Sequence, residues 1–477
     1  MLRIAVIGSG PAGVYAAGAL VQHGAVAVDV FDRLPSPFGL VRYGVAPDHP
    51  KIQSISTALE KLLEHPAVRF LGNVEVGTHI HLADLHRHYD GLIFANGASV
   101  DRRLAIPGED LDGSTSATEF VSWYCGHPDA PTGQFTLDAR SVAVIGMGNV
   151  ALDVTRMLAR SHDELRTTDV PDHVLQVLAA SRVEDIHLIG RRGPAQAKFT
   201  TKELRELGEL THADVLVDPR ELELDEASRC LIEADTVLRR NMEVLQEWAA
   251  RPPAGRPRRV HVRFMLRPVE VLGDTRVTGL RLEGTRLDPH GHAAPTGDVT
   301  TLDAQLILRS VGYRGVPLVG MPFDEPNGVI PNVEGRVLHD GVVAAGEYVA
   351  GWIKRGPQGV IGTNKHDAKE TVAALLTDAP SLPPAPVRDP DAVLQLLHDR
   401  GAEVVNWAGW RAIQVTEAQR GQAQGRARAK IADRESLVRA ANGDARVQHR
   451  KLIQQAPPLL GEDNEAAVRA RLEEETP

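Results

Sequence analysis

The chain opens on an apolar run: residues 4–28 carry no formal charge. Its punctuation divides it. "IAVI" predicts a short buried strand, "GSGPAG" a turn, and the stretch after Pro11 a helix. Glycines 8, 10, 13, 18 and 24 and Pro11 argue against a signal peptide or membrane helix, despite Arg3 in front. "VAVDVFD" then predicts a second strand. The pattern returns at 141–158, "SVAVIGMGNVALDVTRML", as strand, glycine turn and a helix with Val150, Val154, Met157 and Leu158 on one face. "IHLIG" (186–190) is the matching second strand. The intervening segment 161–185 reads as a helical insertion. Strand, turn, helix and strand, twice over, predict an α/β chain with two Rossmann-like dinucleotide-binding domains.

Other segments break this rhythm. "GLVRYGVAPDHP" has neither helical nor strand periodicity and reads as a shaped loop. Pro50 suits the first turn of a helix over "PKIQSISTALEKLLEH", with Ile52, Ile55, Leu59, Leu62 and Leu63 inward. Asp48 or His49 then stands where a cap belongs. In "FTTKELREL", Thr200 and Glu203 fit a capping box, and Leu204 and Leu207 form part of a buried stripe. Glu206 shares the face of Glu203, and capping does not account for it. Pro380–Pro390 reads as a linker, and residues 441–477 as a charged tail.

With 477 residues, the chain has room for two large domains or three smaller ones. Net charge is −10, which argues against general nucleic-acid binding while leaving room for a local basic patch. Only two cysteines, Cys125 and Cys230, exclude a CxxC redox pair and a cysteine-ligated cluster within the chain, and point to the cytoplasm. His79, His81, His86 and His88 lack a metal-motif spacing, and no metal is expected.

The chemistry gathers at the turns. Gly8, Gly10 and Gly13, with Ala12 among them, form G-x-G-x-x-G, and Asp32 ends the next strand where a ribose-binding acid belongs. That predicts an adenine dinucleotide, either NAD or FAD. Gly146, Gly148 and Ala151 form the second turn, with Asn149 and Val150 behind the middle glycine. At the end of its second strand stand Arg191 and Arg192 rather than an acid. A carboxylate there would repel a ribose 2′-phosphate, whereas guanidinium groups bind it, so this site selects NADPH. Two dinucleotide folds with different tasks imply electron passage from one cofactor to the other.

Several stretches together resemble the adrenodoxin reductase-like family of FAD-containing ferredoxin–NADP+ reductases. They are "GLVRYGVAPDHPKIQSI", "IPGEDL", "GMGNVALDV", "GRRGP", "FTTKELREL", "LRSVGYRGVP" and "GWIKRGPQGVIGTN". The resemblance runs in order from about residue 3 to about residue 440. It implies FAD at the N-terminal site, touching the 8–13 turn, Asp32, Leu40, Val76, Trp352 and the backbone of Gly359, Val360 and Ile361. It implies NADP along Gly148, Asn149, Val150, Arg191, Arg192 and Glu203, with Arg102 and Gly359 near the nicotinamide half or the phosphates. His49 and Glu206 match a polar pair beside the flavin and are the expected catalytic residues. The layout it implies is an FAD domain, 1–105 with 320–440, interrupted by an NADPH domain, 106–319. Three departures stand out: Met147 where a polar residue is usual, Asp32 for glutamate, and Glu347 for aspartate.

The expected function is hydride transfer between NADPH and FAD, and single-electron transfer between FAD and an acidic ferredoxin-type iron–sulfur protein. Candidate docking charges are Arg239 and Arg240, and the run Arg251, Arg256, Arg258 and Arg259. The rival readings are an NADPH diaphorase acting on quinones and a non-enzymatic nucleotide-binding redox sensor. A disulfide reductase is opposed by the missing CxxC.

Overall fold

The computed structural model describes residues 1–288 and 290–443; the side chain of Lys51 is also left undescribed. The charged tail expected from 441 lies, beyond residue 443, outside the described residues.

Strand Leu2–Ile7 is an interior strand of a seven-stranded sheet. Its order is Asn332–Val333, Arg336–His339, Val342–Val349, Gly91–Phe94, Leu2–Ile7, Val26–Phe31 and Val68–Leu71. The last five strands run parallel and the first three pair antiparallel. Parallel strands covered on both faces must be apolar throughout, which is why Ile4, Ala5 and Val6 are fully buried. Arg3 is buried too, donating from Nη1 to the carbonyls of Val387 and Asp389. It thus anchors the segment after Pro380.

A second sheet of six strands is wholly parallel. Its order is Ser114–Ser116, Leu306–Arg309, Ser141–Ile145, Asp185–Ile189, Arg258–Arg263 and Ala213–Val217. A three-stranded antiparallel sheet, Leu266–Leu272, Gly279–Leu287 and Ala293–Asp303, contributes Val271, Leu280 and Leu282 to a core shared with Ile145 and Ile189. The chain passes between the two large sheets at Val100–Asp101 and Tyr313–Arg314. These crossings pair antiparallel, Asp101 opposite Tyr313. The second sheet is therefore inserted in the chain of the first.

The insertion read at 161–185 contains helices His162–Leu165 and Asp172–Ala179. The helix expected from Pro50 to His65 forms as two pieces, Pro50–Gln53 and Ile55–Leu63. Ser54 between them has ψ −14°, a tightened turn that shifts the inward face, so only Leu59 and Leu63 of the five apolar residues are fully covered. Beyond the proline-rich segment, helix Trp407–Gln422 sets Trp410 into the core of the first sheet. The segment after it reaches the insertion: Arg426 donates to the Val170 carbonyl and pairs with Asp172, and Lys430 lies 3.1 Å from Asp169. Among the described residues, no helix is long and apolar enough to cross a membrane.

Candidate functional site

Each large sheet presents a glycine turn at the carboxyl end of an interior strand, Leu2–Ile7 and Ser141–Ile145, before helices Pro11–Val21 and Asn149–Ala159 respectively. The two turns solve the same packing problem. Gly8 has φ +108°, and a Cβ there would stand 2.4 Å from the Ala95 carbonyl oxygen; Gly146 has φ +143°, and its Cβ would meet the Ser310 carbonyl oxygen at 2.2 Å. Neither position accepts another residue. A Cβ on Gly13 would strike the Gly8 carbonyl at 1.9 Å, which fixes the helix against the turn. The middle glycines differ. A Cβ on Gly10 or on Gly148 would meet no atom within 4 Å. Protein packing gives no reason for glycine there, and a close-lying pyrophosphate does.

Around the first turn, the loop carrying Leu40 closes in. Phe38 N–H donates to the Ser9 carbonyl at 2.9 Å, and a Cβ on Gly39 would come within 3.2 Å of Gly10. Gly351 abuts Ala12 and brings Trp352 to the same place. The indole stacks obliquely on Tyr313, ring centres 5.4 Å apart, and its buried Nε1–H has no acceptor among the described residues. Asn96 Oδ1, beside Gly8, is likewise buried without a donor. Asp32 turns back onto the glycine turn. Its Oδ2 accepts from Ser9 N at 2.8 Å and Oγ at 2.5 Å, and its Oδ1 from Leu34 N at 2.9 Å. Burial pushes this carboxyl up, and those hydrogen bonds offset the push in part. Gly359, at φ +83°, and Val360 are exposed, while Ile361 packs against the core that includes helix Pro11–Val21. Val76 stands in its own turn, bridged to Ile80.

The second turn is tied to "FTTKELREL". Asn149 Oδ1 accepts from Thr200 N at 2.9 Å, and Lys198 N–H donates to the Met147 carbonyl at 2.8 Å. The Met147 side chain lies over Gly190, where a Cβ would strike it at 2.5 Å, so this unusual residue packs at the start of the arginine turn. Arg191 is exposed and Arg192 partly buried. Among the described residues, neither guanidinium has a hydrogen bond or ion pair. Two unneutralised cations at this strand end have the charge and free donors that suit an anion. Arg102 is exposed on the crossing, its backbone N–H bonded to the Gly312 carbonyl at 2.9 Å.

His49 and Glu206 meet. His49 Nε2 lies 2.6 Å from Glu206 Oε2 and 3.6 Å from Glu203 Oε2. The pair joins the loop of the first sheet to helix Thr201–Gly208 of the inserted unit. Capping does not explain His49: it holds the N-cap position of Pro50–Gln53, but its side chain makes no cap hydrogen bond. The capping box is also only half formed. Thr200 Oγ1 accepts from Glu203 N at 3.3 Å, while the Glu203 carboxylate is drawn toward His49 instead of back to the cap.

Sequence reading missed what stands behind this pair. Arg156, fully buried, donates to Asp48 through Nε at 2.6 Å and Nη2 at 3.0 Å, and to Asp153 at 2.8 Å. Arg160 adds a bond to Asp48 at 2.8 Å. Arg156 Nη1 faces Glu203 and Glu206 at 3.7 Å each. Burial alone would raise the Asp48 carboxyl, but the bonds from Arg156 and the nearby Arg160 outweigh it and hold it low. Burial raises Asp153, and burial with Asp153 and Glu206 nearby raises Glu203. The available signal was a charged residue inside the apolar stripe of "NVALDVTRML".

Several expectations resolve as structural. Arg256 donates to the Leu210 and Ala213 carbonyls, Arg258 to those of Leu158 and Arg160, and Arg259 clasps Asp185 at 2.6 and 2.5 Å. These three of the proposed docking arginines are spent on the fold, whereas Arg239 and Arg240 are exposed, Arg239 donating to the Glu233 carbonyl at 2.7 Å. His86 binds Glu347 at 2.9 Å and His88 turns to the Asp84 carbonyl at 2.7 Å, so the histidine-rich segment does not converge. Glu347 also takes His339, at 2.8 Å. Both cysteines are unpaired, and burial pushes the Cys125 thiol up to about 12.

A chain with an acid-ended dinucleotide turn on one mixed sheet and an arginine-ended one on a second, wholly parallel and inserted sheet is a two-nucleotide oxidoreductase. Residues 2–206 match the pyridine nucleotide-disulphide oxidoreductase family model. NADPH-ferredoxin reductase FprA of Mycobacterium leprae is 45% identical over 92% of this chain and 98% of its own. The mitochondrial NADPH:adrenodoxin oxidoreductase of Arabidopsis thaliana is 38% identical over 92% of this chain and 95% of its own. The structure of Mycobacterium tuberculosis FprA in complex with NADPH superposes with a TM-score of 0.87 at 43% identity, covering 92% of this chain and 99% of that one. The chain belongs to the adrenodoxin reductase-like family of FAD-containing ferredoxin–NADP+ reductases.

Proposed function

We propose that this protein is a ferredoxin–NADP+ reductase. It exchanges a hydride between NADPH and FAD, and single electrons between FAD and a ferredoxin. The observation that carries this reading is the pair of open middle glycines, Gly10 and Gly148, on two sheets whose loops meet at His49 and Glu206. When bound, FAD supplies the conversion between two-electron and one-electron chemistry.

The chain's own residues supply binding, orientation and charge. The turn Gly8–Gly13 and the start of its helix hold the FAD pyrophosphate, Ala12 packing against Gly351. Asp32, shorter than glutamate, reaches the ribose from its seat on Ser9. Leu40, Val76 and Trp352 wall the flavin, and the backbone of Gly359, Val360 and Ile361 faces it, the N–H groups of Gly359 and Ile361 being open among the described residues while that of Val360 donates to Thr363 Oγ1 at 3.2 Å. Gly148, Asn149 and Val150 hold the NADPH pyrophosphate, Arg191 and Arg192 the 2′-phosphate. Glu203 also lies along the NADPH, and Arg102 and Gly359 stand near its nicotinamide half or its phosphates. His49 donates to Glu206 and holds a proton beside the reacting rings, a positioning and charge-balancing role rather than that of a base. The reading divides the chain into an FAD unit, 1–105 with 320–440, and an NADPH unit, 106–319. Arg239 and Arg240, exposed on helix Thr236–Ala250, form the docking face for an acidic ferredoxin. Two unpaired cysteines suit the reducing cytoplasm.

Anaerobic stopped-flow mixing tests the reading. Flavin absorbance should bleach rapidly with NADPH, slowly with NADH, and return on mixing with oxidised ferredoxin. Bleaching that no ferredoxin reverses moves the function to a diaphorase. Absence of bound flavin removes the enzyme reading altogether.

A further inference from the structure

The donor atoms at the His49 cluster suit more than an imidazole–carboxylate hydrogen bond. One donor atom from each of His49, Glu203 and Glu206 lies within 4.8 Å of the other two. Glu203 and Glu206, three residues apart, share one helix face. Glu203 is only 7% exposed, and its Oε2, 3.6 Å from His49 Nε2, has no hydrogen-bond donor among the described residues. A buried carboxylate oxygen left unpaired is costly, and a cation relieves that cost.

Arg156 is the fixed cation nearest this oxygen, but it does not satisfy it. Its Nη1 stays at 3.7 Å from both glutamates and is itself without a hydrogen bond. An ion entering here breaks no bond to Arg156. The charges also leave room. Asp48, Asp153, Glu203 and Glu206 face Arg156 and Arg160, an excess of two negative charges, of which exposed Lys202, 3.6 Å from Glu206 Oε1, offsets one.

We infer that His49, Glu203 and Glu206 form a binding site for a divalent transition-metal cation of the zinc type, and that the bound ion excludes the nicotinamide of NADPH. The second clause rests on the function proposed above; the first does not. Zinc bonds of about 2.0–2.2 Å in a tetrahedron set ligand atoms roughly 3.4 Å apart. The His49–Glu203 separation already matches, and the His49–Glu206 contact must open by about 0.8 Å. One imidazole with two carboxylates suits zinc better than magnesium or calcium, which favour all-oxygen shells. Water completes the fourth position.

The FAD-loaded enzyme, stripped of metal with a chelator, is titrated with zinc sulfate in a calorimeter without pyridine nucleotide. One ion per chain is expected. Binding should weaken by at least about 100-fold in both His49→Gln and Glu203→Gln, since even an outer-shell change costs up to that much. Flavin spectrum and melting temperature verify that each variant is folded. Saturating NADP+ should block the ion, and zinc should raise the KM for NADPH while leaving kcat unchanged. Zinc binding at full strength in either variant overturns the site. So does binding lost in His86→Gln but kept in His49→Gln, which would move the ion to the His86–Glu347–His339 cluster. Zinc and NADP+ bound together would keep the metal site and overturn the placement of the nicotinamide.

Discussion

Replacing Arg191 and Arg192 by glutamine tests the nucleotide preference directly. Both guanidinium groups stand at the end of strand Asp185–Ile189 with no ion-pair partner among the described residues, so their charge is unspent. A hydrogen bond to a charged group contributes about 1.5–3 kcal/mol. Arg192 is only partly buried, which favours the lower end: about 1.5–2 kcal/mol, or roughly 10–30-fold in kcat/KM for NADPH. Arg191 is exposed and screened by water, and its loss should cost about fivefold. The double variant should fall by about 50–100-fold, somewhat short of the product because both groups share one phosphate. NADH lacks the 2′-phosphate, so its kcat/KM should move less than about twofold. Because neither arginine braces the fold, the unfolding free energy from urea titration should shift by no more than about 0.5 kcal/mol. The assay is steady-state turnover with each nucleotide and a chemical electron acceptor, at two salt concentrations. Salt should weaken NADPH use by the parent and leave the double variant nearly flat. A parallel loss with both nucleotides would refute the assignment, as would an unchanged NADPH to NADH ratio.

Three further outcomes follow from the same geometry. Gly8→Ala should destabilise the apoprotein by more than about 2 kcal/mol, from its positive φ and carbonyl clash, while Gly10→Ala should leave apoprotein stability intact and abolish FAD retention; equal urea midpoints for the two would contradict this. His49→Gln should keep FAD bound but slow flavin reduction by NADPH or its reoxidation by ferredoxin; unchanged rates of both remove His49 from the chemistry. Burial holds the His187 imidazole down at about 4, so the unfolded chain binds more protons between pH 6.5 and pH 4, and stability is full above 6.5 and falls through that window by about 3 kcal/mol at most; His187→Asn should flatten part of the slope in urea midpoints across pH.

What could be read from the sequence followed the range of the contacts involved. Both glycine turns were legible because their constraints lie within a few residues, as with Gly13 against Gly8. Arg191 and Arg192 were legible because a strand end is a topological address. The network behind His49 was not, since Asp48 and Arg156 are 108 positions apart and meet only when the two sheets are assembled. Arg256, Arg258 and Arg259 misled for a related reason. A basic run looks free in one dimension, yet carbonyls at 158, 160, 210 and 213 and the Asp185 carboxylate claim it in three. The Thr200–Glu203 box failed in half because a partner from another segment, His49, drew the glutamate away.

The insertion of one sheet within another also sets a timetable for synthesis. Strand Gly91–Phe94, buried along its whole length, needs Val342–Val349 as its parallel neighbour. About 250 residues separate the two, and translation at about 5–20 residues per second leaves that edge unpaired for on the order of 10–50 s. An apolar strand with open backbone groups is a template for wrong partners during that interval. The nascent chain is therefore most prone to aggregation while its second sheet is still being made, and a ribosome-bound chaperone has its longest task there.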